Sequence, residues 1–409
     1  MLIQRAYRYE LDPNNIQRSY LAQHSGVARF AYNWGLARWN EQCRAGLKPS
    51  WMSLSVELNS IKREEFPWMA EVTKWAPGKA LGDLGDAFKH FFRRVKNGEK
   101  PGYPRFKKRG HGGSFYSAGA DLRFRERSVR VPRLGWVRMA EAVRFPGRVV
   151  SARFTCRAGK WFMSAQIEVD DSWVYPHQCE NQAAVGVDLG LKHLSVLSDG
   201  QKTPGPKALR FYENRLKRLQ RELARRDKGG ANWNKTKVKI QKTHEKIADI
   251  RRDAIHKLTT GLVRNHRFIG IEDLNVKGMV KNHRLAKSLS DAAFGEFRRQ
   301  LEYKAVLAGC TVVIADRWFP SSKRCSACGH VLEKLLLSQR QWKCPECSAE
   351  HDRDINAAIN LKQLAAGYAV KVCGAGSAGD IPSGVVKLPS LKQKSSNSIL
   401  NIRLGCQND

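Results

Sequence analysis

The sequence is short of acid. Its 409 residues hold 38 Asp and Glu against 72 Lys and Arg, for a formal charge of +34 and an isoelectric point near 10.1. Solubility alone asks for no such excess. A polyphosphate partner is the natural counter-charge, because each phosphate that is neutralised releases condensed counterions. A ribosomal or histone-like binder would carry the same charge, so the imbalance does not separate binding from chemistry. Long apolar runs are missing as well. None approaches the ~20 residues that cross a bilayer, so no membrane partner is expected. The first residues, Met1-Leu2-Ile3-Gln4-Arg5-Ala6-Tyr7, hold no apolar stretch of the kind a secretory signal needs, and no signal peptide is expected. Without secretion, the ten cysteines argue against a disulfide framework. Four of them cluster, while Cys43, Cys156, Cys179, Cys310, Cys373 and Cys406 are scattered. A cytosolic protein is expected. Its length and 42% hydrophobic content suffice to bury sizeable cores in two or three domains.

Leu2 to Leu11 alternates like a strand and stops at the turn signal Asp12-Pro13. From about 16 to 98 the apolar period becomes helical, with Phe30, Trp34 and Leu36 to Trp39 on one helix and Leu81, Leu84, Phe88, Phe91 and Phe92 on another. The second helix runs into Arg93, Arg94, Lys96 and Lys100, then a turn-rich loop containing Tyr103, Arg105, Phe106, Lys107, Lys108 and Arg109. Basic residues interleaved with aromatics suit a nucleic-acid backbone, although a solvated surface loop would read the same way. Short strands follow between 115 and 175: Ser128 to Pro132, Trp136 to Met139, Val149 to Thr155 and Trp161 to Val169. Together with the first strand they predict a small β-barrel, into which the helical block 16–98 is inserted. A new unit begins near 183. Between 201 and 260 it is helical and carries 18 Lys and Arg against 6 Asp and Glu, broken at Lys228-Gly229-Gly230 into an antiparallel hairpin. Strands at Phe268-Ile269-Gly270-Ile271 and Thr311 to Ile314 alternate with a helix marked by Asp291, Phe294, Phe297, Leu301 and Ala305, which predicts an α/β domain. After about 367 the composition turns to Gly, Ser and Lys, as in a loosely attached or disordered tail.

Cys325-x2-Cys328, fifteen residues, then Cys344-x2-Cys347 is the strongest local signal. Two residues between thiolates make a turn that points both sulfurs at one ion, and two such knuckles complete a tetrahedron around Zn²⁺. Four thiolates leave no open position, so the zinc is expected to be structural.

Three acids stand where metal ligands would. Val185-Gly186-Val187-Asp188-Leu189-Gly190 and Ile269-Gly270-Ile271-Glu272-Asp273 each end an apolar strand in carboxylate, and only one of Glu272 and Asp273 can face the same side as Asp188. His351-Asp352-Arg353-Asp354-Ile355-Asn356 opens a helical run, where Asp354 can serve as a helix cap, a metal ligand or both. Each acid alone reads more simply as a turn or cap residue. As a set they have what an RNase H-type site with two Mg²⁺ ions requires, convergent carboxylates on rigid elements. Their order, Asp then Glu then Asp, suits a resolvase-type nuclease, whereas strand-joining transposases more often order them Asp, Asp, Glu.

At these residues the chain resembles the TnpB (OrfB) family of insertion-sequence proteins, akin to type V CRISPR effectors. The resemblance is carried by Gly186 to Gly190, Ile271-Glu272-Asp273-Leu274, Leu285 to Ala292, the four cysteines, Asp352-Arg353-Asp354-Ile355-Asn356-Ala357-Ala358, Ala28 to Asn33 and Pro104-Arg105-Phe106-Lys107. It covers about 2 to 365. It implies RNA-guided, metal-dependent cleavage of double-stranded DNA beside a short transposon-adjacent motif, with a guide RNA derived from the element's own end. Asp188, Glu272 and Asp354 would be the catalytic residues of a RuvC-type centre holding two Mg²⁺, Asp354 being preferred to Asp352 because it precedes x-Asn-Ala. Expected contacts to nucleic acid are Arg93, Arg94, Arg105, Lys107, Lys108 and Arg109. The implied architecture is an α/β RNase H-like (RuvC) nuclease domain (181–324 and 348–366) with a zinc-ribbon insertion (325–347). Ahead of it stands a wedge-like β-barrel (1–15 and 115–180) carrying a helical recognition lobe (16–114), and a tail (367–409) follows. The expected species is a monomeric ribonucleoprotein of the prokaryotic cytosol or nucleoid. The principal rival is an RNA-guided regulator or transposition accessory protein that binds without cutting.

Overall fold

The computed structural model describes residues 2–109, 112–170, 183–373 and 385–387. It divides into two compact units, Met1–Trp173 and Val174–Asp409. The boundary expected at 180 falls outside the described residues.

In the first unit, β1 (Leu2–Asp12) is followed by three helices, α1 (Asn15–Arg44), α2 (Trp51–Ile61) and α3 (Trp75–Lys96). The turn signal at Asp12-Pro13 leads directly to the cap of α1. The Asn14 side chain accepts from the backbone N–H of Gln17, and the Gln17 side chain accepts from Asn14 in return. Helices α1 and α3 pack through Trp39, whose ring stacks on Phe88 at 4.1 Å between centroids. Six strands then follow: β2 (Gly113–Ala118), β3 (Arg123–Arg125), β4 (Ser128–Val131), β5 (Gly135–Met139), β6 (Arg148–Arg157) and β7 (Lys160–Asp170). They join β1 in an antiparallel sheet of order β2-β6-β7-β1-β5-β4-β3. Strand β1 is central, paired with β7 from Leu2↔Asp170 to Leu11↔Trp161. The long stretch 16–98 therefore leaves and re-enters one sheet.

The second unit is built on a sheet of order β10-β9-β8-β11-β12-β15. Strands β8 (Ala184–Asp188), β9 (His193–Leu197) and β10 (Lys202–Pro204) form an antiparallel meander. Strands β11 (Phe268–Glu272) and β12 (Thr311–Ala315) run parallel to β8, and β15 (Val385–Lys387) is antiparallel to β12. The meander followed by parallel strands is the arrangement of an RNase H-like sheet. Helices α4 (Ala208–Ala224) and α5 (Ala231–Asn265) form the basic hairpin, turning at Gly229 with φ +93°. The short α6 (Val276–Met279), α7 (His283–Ala292) and α8 (Phe294–Ala308) precede β12. One sheet face is covered by Leu262, Phe294, Phe297 and Leu301, which pack on Val185, Val187, Ile269 and Ile314. The other is covered by α9 (Arg353–Cys373), through Ala365 and Tyr368 against Phe268 and Val313. Strands buried on both faces are apolar throughout rather than alternating, as in these sequences.

The small strands β13 (Gln341–Lys343) and β14 (Glu350–Asp352) pair with each other and lead straight into α9. The composition after 367 predicts a loose tail, but α9 continues to Cys373 and β15 joins the sheet. Ala365 and Tyr368 prolong an apolar stripe that has a sheet to bury against, and local polarity does not report that. The rest of the tail lies outside the described residues.

Candidate active site and zinc knuckles

Strands β8 and β11 are parallel neighbours in the register Val187↔Ile271, so Asp188 and Glu272, one residue further on, emerge together at the sheet's carboxyl end. Asp188 is pushed well above the ordinary carboxylate range by burial, then by the charges of Glu272 and Asp354. Glu272 is also raised by burial, against the opposing effects of the Ser321 hydroxyl and Arg353. Among the described residues Asp188 accepts no hydrogen bond and forms no ion pair. A partly buried carboxylate beside two other acids, raised despite the opposing charges of Arg353 and Arg340, suits a divalent cation with oxygen ligands. Asp273 points elsewhere and is held by Arg298 and Arg317.

Asp354 lies in the first turn of α9, and its side chain is ion-paired with Arg340 at 3.0 Å. The capping role open to it in the sequence belongs to Asp352, whose carboxylate accepts from the backbone N–H groups of Asp354 and Ile355 at 3.0 and 3.2 Å. Asp352 is further tied to Lys202 at 2.8 Å, leaving Asp354 to face Asp188.

Two residues of the site had no strong local signature. The Ser321 hydroxyl donates to Glu272, and Arg340 pairs with Asp354. The loop that carries Ser321 is gripped by buried asparagines on α9. Asn360 donates to the carbonyls of Ser321 and Arg324 at 2.8 and 2.7 Å, while Asn356 donates to Arg324 at 2.8 Å and accepts from the N–H of Ser326 at 3.0 Å. Asparagine four residues from asparagine on an otherwise apolar helix face (Ala357, Ala358, Leu361) is the available sequence clue, because buried amides require partners. Asp291, within the Leu285 to Ala292 stretch, is structural. It accepts from the N–H of Leu209 and pairs with Arg251 at 2.7 Å.

The gripped loop contains Cys325. All four clustered thiols lie within 4.8 Å of one another, the only such group of three or more potential ligands among the described residues. The three carboxylates are thus a looser set. Sγ atoms are 3.6 Å apart in both Cys325–Cys347 and Cys328–Cys344. A tetrahedron of ~2.3 Å Zn–S bonds has edges of about 3.8 Å, so the donor set matches zinc without rearrangement. Each knuckle closes with a residue in the left-handed region, Gly329 at φ +84° and Ser348 at φ 58°, whose N–H bonds back to Cys325 and Cys344. Burial raises the Cys325 thiol, but the backbone N–H groups of Cys328 and Ala327 and the neighbouring thiols bring it down to about 7, which favours the thiolate. His351 Nε2 lies 3.0 Å from the same sulfur.

In the first unit, Arg93 and Arg94 end α3, and Arg105, Lys108 and Arg109 lie in the exposed loop after it. Lys107 differs. Its ammonium sits 3.8 Å over the ring of Tyr32, burial there pushes its pKa down, and Asn33 bonds both its N–H and its carbonyl. It anchors the loop to α1 while remaining exposed overall. Phe92, Tyr103 and Phe106 stay exposed beside the arginines.

Protein-family profiles match three stretches. One described as "Probable transposase" (OrfB of IS605) matches residues 164–283, a Cas12f1-like TNB domain matches 294–361, and a helix-turn-helix domain matches 1–48. Here that last stretch is β1 and the single long helix α1. A Streptomyces pristinaespiralis protein named as an RNA-guided DNA endonuclease is 37% identical over 96% of both chains. InsQ of Escherichia coli K12, which bears the same designation, is 35% identical over 90% of this chain and 94% of its own. A solved Cas12f1–sgRNA–target DNA complex is 14% identical, with a TM-score of 0.49 over 86% of this chain and 83% of that one. Identity at this level over nearly the whole length settles the kinship: the chain belongs to the TnpB (OrfB) family of insertion-sequence proteins.

Proposed function

We propose that this chain is an RNA-guided, metal-dependent endonuclease that cuts double-stranded DNA next to a short transposon-adjacent motif. The observation that carries the cutting half is Asp188, a partly buried acid with two acidic neighbours and no ion-pair partner among the described residues. The names of the full-length relatives support the guided half. Asp188, Glu272 and Asp354 would hold two Mg²⁺, which supply positive charge for an in-line phosphodiester displacement. The chain's own work is positional. The β8–β11 register aligns Asp188 with Glu272, Ser321 fixes the Glu272 carboxylate, and Arg340 places a guanidinium beside Asp354, where it can pair with a phosphate oxygen. Zn²⁺ on Cys325, Cys328, Cys344 and Cys347 would hold the hairpin that delivers Arg340 and Asp354.

We assign 181–324 and 348–366 to the RuvC-like domain and 325–347 to its zinc ribbon. The seven-stranded sheet is assigned to the wedge-like barrel and 16–114 to the recognition lobe, where Arg93, Arg94, Arg105, Lys108 and Arg109 meet phosphate. The working species is a monomeric ribonucleoprotein in the prokaryotic cytosol, its guide drawn from the transposon end. Base pairing reads the target, and the protein reads shape and the adjacent motif. The deciding test expresses the protein with its genomic locus, sequences the co-purified RNA and presents matched duplex DNA with Mg²⁺. Wild type cuts, while Asp188→Ala binds the RNA equally and does not cut. Cleavage persisting in Asp188→Ala would overturn the site.

A further inference from the structure

The loop between β12 and the first zinc knuckle leaves Glu272 and comes back to it. Ala315, the last residue of β12, is the register partner of Glu272 on β11. Six residues later the Ser321 hydroxyl donates to the Glu272 carboxylate. The residues between are tied down. The Asp316 side chain accepts from the N–H of Trp318 at 2.9 Å, and its carbonyl accepts from Phe319 at 3.0 Å. Arg317 reaches Asp273 at 2.9 Å, and the carbonyl of Phe319 accepts from Ser321 at 2.8 Å. One side chain takes no part. Trp318 is 86% exposed, the most exposed large hydrophobic side chain among the described residues, and its indole has no ring, ion-pair or hydrogen-bond partner there.

A lone exposed apolar side chain is ordinary on a protein surface. The placement of this one is not. It stands at the apex of a short loop fixed at both feet to one acid of the candidate site. Three residues separate it from either foot, so its Cα lies within about 10 Å of Ala315 and of Ser321. Stacked nucleotides advance about 3.4 Å each, so the indole is within a few nucleotides of a phosphate held at the carboxylates. The surroundings are charged, with Asp316, Arg317, Asp273 and Arg298, so the site does not favour an apolar protein partner. An indole carried on a hydrogen-bonded loop, open to solvent and next in sequence to Arg317, matches the way single strands are held: base on aromatic, with no sequence preference.

We propose that Trp318 is a stacking platform for an unpaired base of the DNA strand being cut. The inference rests on the proposed nuclease reading for its choice of strand. Stacking one base on the indole fixes the strand's register against Asp188, Glu272 and Asp354, and any of the four bases can occupy it.

The test uses the protein with its co-purified guide RNA in the Asp188→Ala background, bound to matched DNA carrying 2-aminopurine at one position at a time near the cut. We expect fluorescence quenching at one or two positions, lost in Trp318→Ala and retained in Trp318→Phe. In the catalytically intact background, Trp318→Ala should slow strand cutting by about tenfold, within the range for losing one stacked base. Its melting temperature and guide-RNA affinity should be unchanged. Three results would each overturn the proposal: no position whose quenching depends on residue 318, full rescue by Trp318→Leu, or a tenfold loss of guide-RNA affinity in Trp318→Ala, which would make RNA the occupant. Failure of the wild type to cut guided DNA would instead refute the nuclease reading. The fluorescence arm is read without cutting, so the two failures are distinct.

Discussion

Replacing Gly186 by alanine should separate the acids of the site without touching any of them. Helix α9 lies so close to the sheet that a Cβ at Gly186 would stand 1.8 Å from the carbonyl oxygen of Ala358 and 2.4 Å from the amide of Lys362. Both obstacles are backbone of a packed helix, and no side chain can swing aside. To restore the 3.4 Å of ordinary contact, α9 must withdraw by about 1.6 Å. Asp354 rides on that helix four residues from Ala358, and Asp188 lies two residues from Gly186, so the displacement falls between them. Overpacking of this kind costs about 1–3 kcal/mol or more. At roughly 2–4 °C per kcal/mol for a unit of this size, melting should drop by about 2–12 °C. A misplacement of about 1 Å can cost ~100-fold in catalysis, so guided cleavage should fall at least that far while RNA binding persists. Gly261→Ala is the control. It lies inside α5 with nothing within 4 Å of the added Cβ, and alanine there should be neutral or stabilising by up to about 1 kcal/mol. Differential scanning fluorimetry and single-turnover cleavage of both variants decide the matter. Gly186→Ala melting and cutting like Gly261→Ala would refute the close approach of α9 and its role in aligning the acids.

The raised pKa values of Asp188 and Glu272 give a pH dependence with a definite sign. Carboxylates that hold protons more tightly folded than unfolded add stability at acid pH, and this is lost as pH rises through the folded values, above the ordinary 3.8 and 4.5. The metal-free protein should therefore lose melting temperature over that rise relative to Asp188→Asn, and added Mg²⁺ should restore more at pH 8 than at pH 5; parallel curves for the two proteins would contradict this. Cys328→Ser should release the zinc, measured as metal content, and lower guided cleavage by loosening the hairpin that holds Arg340 beside Asp354. Stoichiometric zinc with unchanged cutting would show that this thiol is not a required ligand.

Local patterns made much of the framework legible. The strand read at Ser128 to Pro132 ends one residue earlier, at Val131, where proline has no N–H to offer the ladder. The break at Lys228-Gly229-Gly230 is the turn of the α4–α5 hairpin, at the glycine whose φ of +93° other residues avoid. The apolar runs ending in Asp188 and Glu272 are strands buried on both faces. By contrast, the basic loop after α3 reads as a uniform run, and nothing in it announces that the Lys107 ammonium packs over Tyr32, 75 residues away in sequence.

The sequence by itself determined the charge, the thiolate spacing, and the apolar strands and helix start that carry the acids. These are set by composition and by periods of two and 3.6 residues, which act within a few positions. What occupies the other acid of each adjacent pair is visible only in three dimensions. Asp273 is drawn off by Arg298 and Arg317, and Asp352 is taken up by the α9 cap and by Lys202, 150 residues away. The support of Glu272 by Ser321 spans 49 residues, and the grip of Asn356 and Asn360 on the knuckle loop about as many as 39. No period encodes such contacts. They exist because β8, β11 and β12 lie side by side and α9 presses its backbone against glycine, which brings distant polar groups into a place where each must find a partner.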